Sequence, residues 1–111
     1  MPYQYAMYLT ERTDTKIIEL KHGFATYQYL NENQVYLIDI FVLPEFRKGH
    51  FATEMAEMIA SEAKKKGCKE MIGSVQLTAK NSDASMKVLL AYGMKPYQTI
   101  QDGIYFKKEL I

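Results

Sequence analysis

The sequence predicts a mixed α/β fold of the α+β type, with its elements in the order β-β-β-α-β-α-β-β. Three observations carry that expectation. Residues 35–43, VYLIDIFVL, form an almost continuous apolar run behind an aromatic-rich segment and a polar turn, which reads as a hairpin leading into a central strand. From Phe51 the apolar period lengthens to that of a helix. Two further apolar runs flank Asp102-Gly103, a strong hairpin signal. A strand, an amphipathic helix and another strand imply a parallel crossover inside a mixed sheet.

Taken in order, residues 1–22 carry the weakest pattern. Tyr3, Tyr5, Met7 and Tyr8 suit a strand by composition, residues 10–15 are polar and turn-like, and Ile17, Ile18 and Leu20 fit a strand or the end of a short helix. Lys21-His22-Gly23 reads as a stop. Residues 24–30 then make a strand, Asn31-Glu32-Asn33-Gln34 a turn, and residues 35–43 the central strand, whose one charge is Asp39. Pro44 cannot donate to a ladder and ends it.

Phe51, Met55, Met58, Ile59 and Ala63 share a helical face that excludes Glu54, Glu57, Glu62 and Lys64, so a helix is expected over residues 49–66. Gly67 follows three lysines, a helix stop with cations at the negative end of the dipole. Residues 70–78 form a strand. Ser82 or Asp83 caps a helix through Tyr92 that Gly93 closes. Residues 95–100 and 104–110 make the last hairpin.

Composition narrows the function classes. A chain of 111 residues, 48% apolar and without repeats or linkers, is expected to be one folded domain over residues 1–111. Lys and Arg total 14 against 13 Asp and Glu, a net charge of +1, which gives no broad electrostatic footprint for nucleic acid. No apolar stretch reaches membrane-spanning length, and Met1 is not followed by a basic-then-apolar signal. The expectation is therefore a cytoplasmic protein with neither a membrane nor a nucleic-acid partner. The single cysteine, Cys68, excludes an internal disulfide and a Cys-rich zinc site, and no metal is expected.

The informative stretch is residues 42–55, VLPEFRKGHFATEM, a turn between a buried strand and a long helix. Such a turn presents unpaired backbone N–H groups and the positive end of the helix dipole, a ready site for an anion and above all a diphosphate. Arg47, Lys48 and His50 add cationic character, while Gly49 and Ala52 keep the backbone approachable.

Residues 35–94 resemble the GNAT N-acetyltransferase superfamily. The resemblance rests on Val42, Pro44, Glu45, Phe46 and Arg47 at the end of the strand, on Ala52 in the helix-opening turn, on the helix tail EAKKKGCKEM, and on Asn81, Ser82, Ser85, Leu89, Gly93 and Met94 in NSDASMKVLLAYGM. It implies a twisted, mostly antiparallel sheet of about six strands with helices on both faces. It implies that the sheet splays between the strands near Leu43 and Val75 and that acetyl-CoA, the co-substrate, lies in the gap. The pantetheine would pair with the backbone around Phe41 and Val42. The diphosphate would sit on the N–H groups of Lys48, Gly49, His50, Phe51, Ala52 and Thr53, with Arg47 beside it, and Asn81 or Ser82 near the distal pantetheine or thioester. An amine acceptor, a small molecule or a protein, would attack the acetyl carbonyl directly in a ternary complex.

This sequence departs from the family pattern at three places. His50 stands at the first glycine of the turn motif, the tyrosine that many relatives use as general acid falls at Leu89, and residues 1–22 hold only a reduced version of the usual opening elements. Asp39 is a candidate base acting through water, and Tyr92, one turn beyond Leu89, a candidate acid. The departures also fit a second reading: a catalytically degenerate, viral-type GNAT-fold protein that serves as a CoA-binding or protein-interaction module. Exposed strand edges allow a homodimer. His22 reads as a turn residue, Cys68 as structural, the nine tyrosines mainly as strand residues and the seven methionines as core fillers.

Overall fold

A computed structural model describes Gln4, Met7, residues 11–80 and residues 82–110 of the chain. The elements are β1 (Lys16–Leu20), β2 (Gly23–Tyr29), β3 (Gln34–Val42), a 3-10 turn (Pro44–Phe46), α1 (Phe51–Lys65), β4 (Glu70–Gln76), α2 (Ser82–Ala91), β5 (Lys95–Ile100) and β6 (Gly103–Glu109). They reproduce the order read from the sequence. The six strands form one sheet, β1-β2-β3-β4-β6-β5. Every neighbouring pair is antiparallel except β3 and β4, which α1 joins by the parallel crossover.

The opening segment departs from expectation. Gln4, Met7 and residues 11–13 are helical, so Met7 is not in a strand and the described part of the turn-like stretch, residues 11–15, is not simply a turn. Tyr3, Tyr5 and Tyr8 lie outside the described residues. Bulky residues favour a strand only with an alternating pattern, and the contiguous run Tyr5-Ala6-Met7-Tyr8 has none. Ile17, Ile18 and Leu20 resolve as β1.

α1 and α2 cover the same face of the sheet rather than one face each. Met55, Ile59 and Ala63 of α1 and Leu89 of α2 share one buried cluster with Ala25, Tyr27, Val35, Leu37, Met71, Val75 and Phe106. Both helices end in the same hydrogen-bond pattern. Cys68 N–H reaches Ala63 C=O and Gly67 N–H reaches Lys64 C=O; Met94 N–H reaches Leu89 C=O and Gly93 N–H reaches Leu90 C=O. Gly67 and Gly93 hold φ of +94° and +93°, the left-handed turn this cap requires.

One irregularity positions the site. Thr26 pairs with Asp39, but the next residue, Tyr27, pairs with Leu37, leaving Ile38 as the extra residue of a bulge in β3. Val35 and Leu37 face the core before the bulge, and Ile40 and Val42 pack against it afterwards. Asp39 and Phe41 are thereby turned to the face opposite the helices, beside Thr26 and Phe24.

Candidate functional site

The parallel pairing of β3 with β4 runs from Gln34–Glu70 to Leu37–Gly73 and stops there, although β3 continues to Val42 and β4 to Gln76. The sheet is thus unzipped from its middle to its upper edge among the described residues. Leu43 N–H donates to His22 C=O, which fixes the phase of the β2–β3 ladder. By alternation, Val42 and Ile40 direct their N–H and C=O groups away from β2, toward the unzipped side. Phe41 stands opposite Phe24 in the ladder, so it offers the gap its exposed side chain rather than its main chain. Arg47 Nε donates to Val42 C=O at 2.9 Å, and its guanidinium lies 5.6 Å from the Phe41 ring centre. The arginine is therefore fixed at the upper end of the gap.

The turn that follows is wound tightly. Phe46 N–H bonds Leu43 C=O, and Arg47 N–H bonds Pro44 C=O. Lys48 and His50 then adopt left-handed backbone, with φ of 72° and 66°. His50 is the N-cap of α1, and no side chain caps the helix. Its carbonyl receives the Glu54 N–H and the Thr53 hydroxyl, so Glu54 makes the first intrahelical bond. The N–H groups of Phe51, Ala52 and Thr53 precede that bond and point out of the helix end. Together with the N–H groups of Lys48, Gly49 and His50, all exposed, they make a short run of backbone donors beside the Lys48 and Arg47 cations.

An aromatic cluster supports the turn from below. The His22 ring stacks on Phe51 at 3.8 Å and meets the edge of Phe46 at 5.0 Å, and Phe46 and Phe51 are themselves edge to face at 5.8 Å. From the sequence alone His22 reads as a turn residue only. The signal that locates it is the hairpin register, which sets Gly23 opposite Val42 and so places His22 at the first residue of the turn.

On the side of β4, Leu77 C=O lies 3.4 Å from Ser82 Oγ, which holds the start of α2 at the top of the strand. Asn81, the neighbouring candidate, lies outside the described residues. Leu89 packs over Gly73, the last residue paired across the parallel junction. On the opposite face, Tyr36 Oη and Ser74 Oγ are 2.6 Å apart and bridge β3 and β4 at the same level.

Asp39 and Tyr92 are not brought together. Asp39 is exposed on the face away from the helices. Tyr92 is buried on the helical face, one turn beyond Leu89, where its phenol donates to Glu57 Oε2 at 2.7 Å. Burial first, and then that hydrogen bond, push its pKa well above the ordinary value. Lys108 Nζ holds the Tyr92 carbonyl at 2.8 Å and lies 3.8 Å from the ring centre. Cys68 is buried, and burial raises its pKa, which keeps it a thiol. A cavity of about 310 Å³ opens beside Phe24 and Phe41 and is edged by Glu19 and Lys21. Among the described residues no group of three metal-ligating side chains occurs, and no helix is long and apolar enough to cross a membrane.

An unzipped parallel pair and an uncapped helix start, joined by a crossover, define the architecture, and comparison with known proteins identifies the family. The sequence profile of the acetyltransferase (GNAT) family matches residues 6–94, and the chain belongs to that family. It is 28% identical to an aminoglycoside N(6')-acetyltransferase type 1 from Acinetobacter baumannii, over 96% of this chain and 72% of that enzyme. A GNAT-family protein from Desulfovibrio desulfuricans shares the fold with a TM-score of 0.80 at 12% identity, over 97% of this chain and 76% of the other. The paiA N-acetyltransferase of Thermoplasma acidophilum, solved with coenzyme A, gives 0.75 at 14% identity, covering 95% and 67%. The Salmonella typhimurium protein yncA, solved with acetyl-CoA, gives 0.72 at 12% identity, covering 100% and 75%.

Proposed function

We propose that the protein transfers the acetyl group of acetyl-CoA to a primary amine. The observation that carries this reading is the unzipped edge of β3, which leaves the main chain of Ile40 and the N–H of Val42 facing a gap whose upper end is the donor-bearing turn of residues 48–53. An extended pantetheine arm would add to that edge as a short strand, and the diphosphate would rest on the backbone donors of residues 48–53 beside Arg47 and Lys48. Acetyl-CoA in yncA and coenzyme A in paiA support the choice of ligand, and the aminoglycoside enzyme supports an amine as acceptor.

In this scheme the amine nitrogen attacks the acetyl carbonyl. A C–N bond forms, the C–S bond of the thioester breaks, the amine gives up a proton and the CoA thiolate gains one. The chain's contribution is to hold the thioester at the apex near Gly73 while the acceptor approaches from the face opposite the helices. Exposed Asp39 and the cavity beside Phe24 and Phe41 lie on that face, so Asp39 is the residue we assign to receive the amine proton through water. Tyr92 takes no part in this scheme, since its phenol is committed to Glu57 on the other face.

Calorimetric titration with acetyl-CoA, followed by an amine screen for released CoA thiol, tests the reading. Buried Cys68 leaves little background in a thiol assay. Micromolar binding, about −8 kcal/mol at 1 µM, together with turnover of an amine is the expected result. Absence of binding at millimolar acetyl-CoA overturns it and leaves the protein as an interaction module on this fold.

A further inference from the structure

We infer that His22 is a positioning residue for the anion-binding turn, an inference that rests on the diphosphate placement proposed above. His22 touches both sides of residues 44–50. Its carbonyl accepts Leu43 N–H at 2.8 Å, where the chain leaves β3. Its ring stacks on Phe51 at 3.8 Å with planes 14° apart, where the chain enters α1. It also meets Phe46 edge-on within the turn, at 5.0 Å and 86°. A single residue of the β1–β2 turn thus pins the entry, the middle and the exit of the segment whose backbone donors must converge.

Hydrogen bonds of Phe46 and Arg47 hold the first half of the turn, and the pin acts on the second half, where no N–H of residues 48–50 makes such a bond among the described residues. Arg47, Lys48, Gly49 and His50 are exposed, two of them hold left-handed backbone, and α1 has no side-chain cap. Each left-handed residue favours relaxation of the turn, and the stacked ring opposes it by fixing Phe51. The ring nitrogen Nδ1 is buried and meets no hydrogen-bond partner. The packing therefore uses the face of the imidazole, and the somewhat larger phenyl ring offers the same kind of face.

The test compares His22→Ala and His22→Phe with the parent protein in two measurements. The first is native-state trypsin nicking, with cuts assigned by mass spectrometry. His22→Ala is expected to speed cutting after Arg47 and Lys48 about tenfold while cuts after residues 64–66 keep the parental rate, and His22→Phe to cut like the parent. The second is acetyl-CoA affinity together with kcat. His22→Ala is expected to weaken acetyl-CoA binding about five- to tenfold at unchanged kcat, and His22→Phe to restore it.

Parental nicking in His22→Ala, or a uniform rise at every site, overturns the positioning role. A His22→Phe protein that behaves like His22→Ala overturns ring stacking as its means. Selective nicking with unchanged affinity for acetyl-CoA overturns the link to the diphosphate. If the parent itself binds no acetyl-CoA while the nicking stays selective, the functional reading fails and the structural pin stands.

Discussion

The phenol of Tyr92 and the carboxylate of Glu57, 2.7 Å apart, tie the C-terminal end of α2 to the middle of α1. This bond joins the two helices over the shared core and, after burial, adds to what keeps Tyr92 protonated. Removing the hydroxyl by Tyr92→Phe should cost about 1 kcal/mol, since exposed Glu57 can be rehydrated. Urea unfolding of the variant at neutral pH checks the value.

The buried tyrosines also set an alkaline limit. Burial raises the pKa of Tyr92, Tyr29 and Tyr27 above the ordinary value of 10.0, that of Tyr29 to about 12. Above pH 10 the unfolded chain loses phenolic protons that the folded chain keeps, so the unfolded state binds fewer protons and stability falls as pH rises. The contribution is complete below pH 10 and is lost between about 10 and 12 for Tyr29. Thermal melts from pH 8 to 11.5 should show a decline beginning near pH 10, and Tyr92→Phe should make it shallower.

Relief of backbone strain is the next expectation. Lys48 and His50 hold φ of 72° and 66°, where a Cβ is crowded. Lys48→Gly and His50→Gly should each stabilise the fold by up to about 1 kcal/mol, less the entropy glycine adds to the unfolded chain. Acetyl-CoA binding by His50→Gly should be equal or tighter if the backbone amides carry the phosphate. A marked loss of affinity would show instead that the imidazole is a ligand contact.

Gly49 acts by a different route. A Cβ there would lie 2.9 Å from the Phe51 ring, the ring on which His22 stacks. Gly49→Val should therefore displace Phe51 and weaken acetyl-CoA binding about tenfold, with little change in the melting of the sheet. Unchanged affinity would remove the diphosphate from this turn.

These sites were unequally legible in the sequence. The hairpins, the crossover and both helix stops could be read, because Gly67, Gly93 and Asp102-Gly103 are local signals and the face of α1 has an unambiguous period. The turn with Arg47 and Gly49 was legible as chemistry. The bulge at Ile38 was not, because an unbroken apolar run such as VYLIDIFVL hides a change of face. That bulge decides that Asp39 points away from Tyr92, so their separation was beyond the reach of spacing along the chain. The stacking of His22 on Phe51 depends on register between segments nearly thirty positions apart and left no local pattern.

Asp39 supplies the last prediction. It is exposed on β3, in the stretch that has left β4 and on the face where the acceptor is proposed to approach. An exposed carboxylate replaced by its amide should leave the fold within about 0.5 kcal/mol. Asp39→Asn keeps the shape and removes the negative charge and with it the ability to take a proton. If Asp39 receives the amine proton through water, kcat should fall about a hundredfold while acetyl-CoA affinity is unchanged, because the cofactor contacts the β3 backbone and the turn. Steady-state kinetics with a saturating amine, beside calorimetry of acetyl-CoA binding, separates the two effects. A parental kcat would free Asp39 from the chemistry and leave proton removal to solvent, and a parallel loss of acetyl-CoA affinity would mean that the carboxylate shapes the gap rather than the reaction.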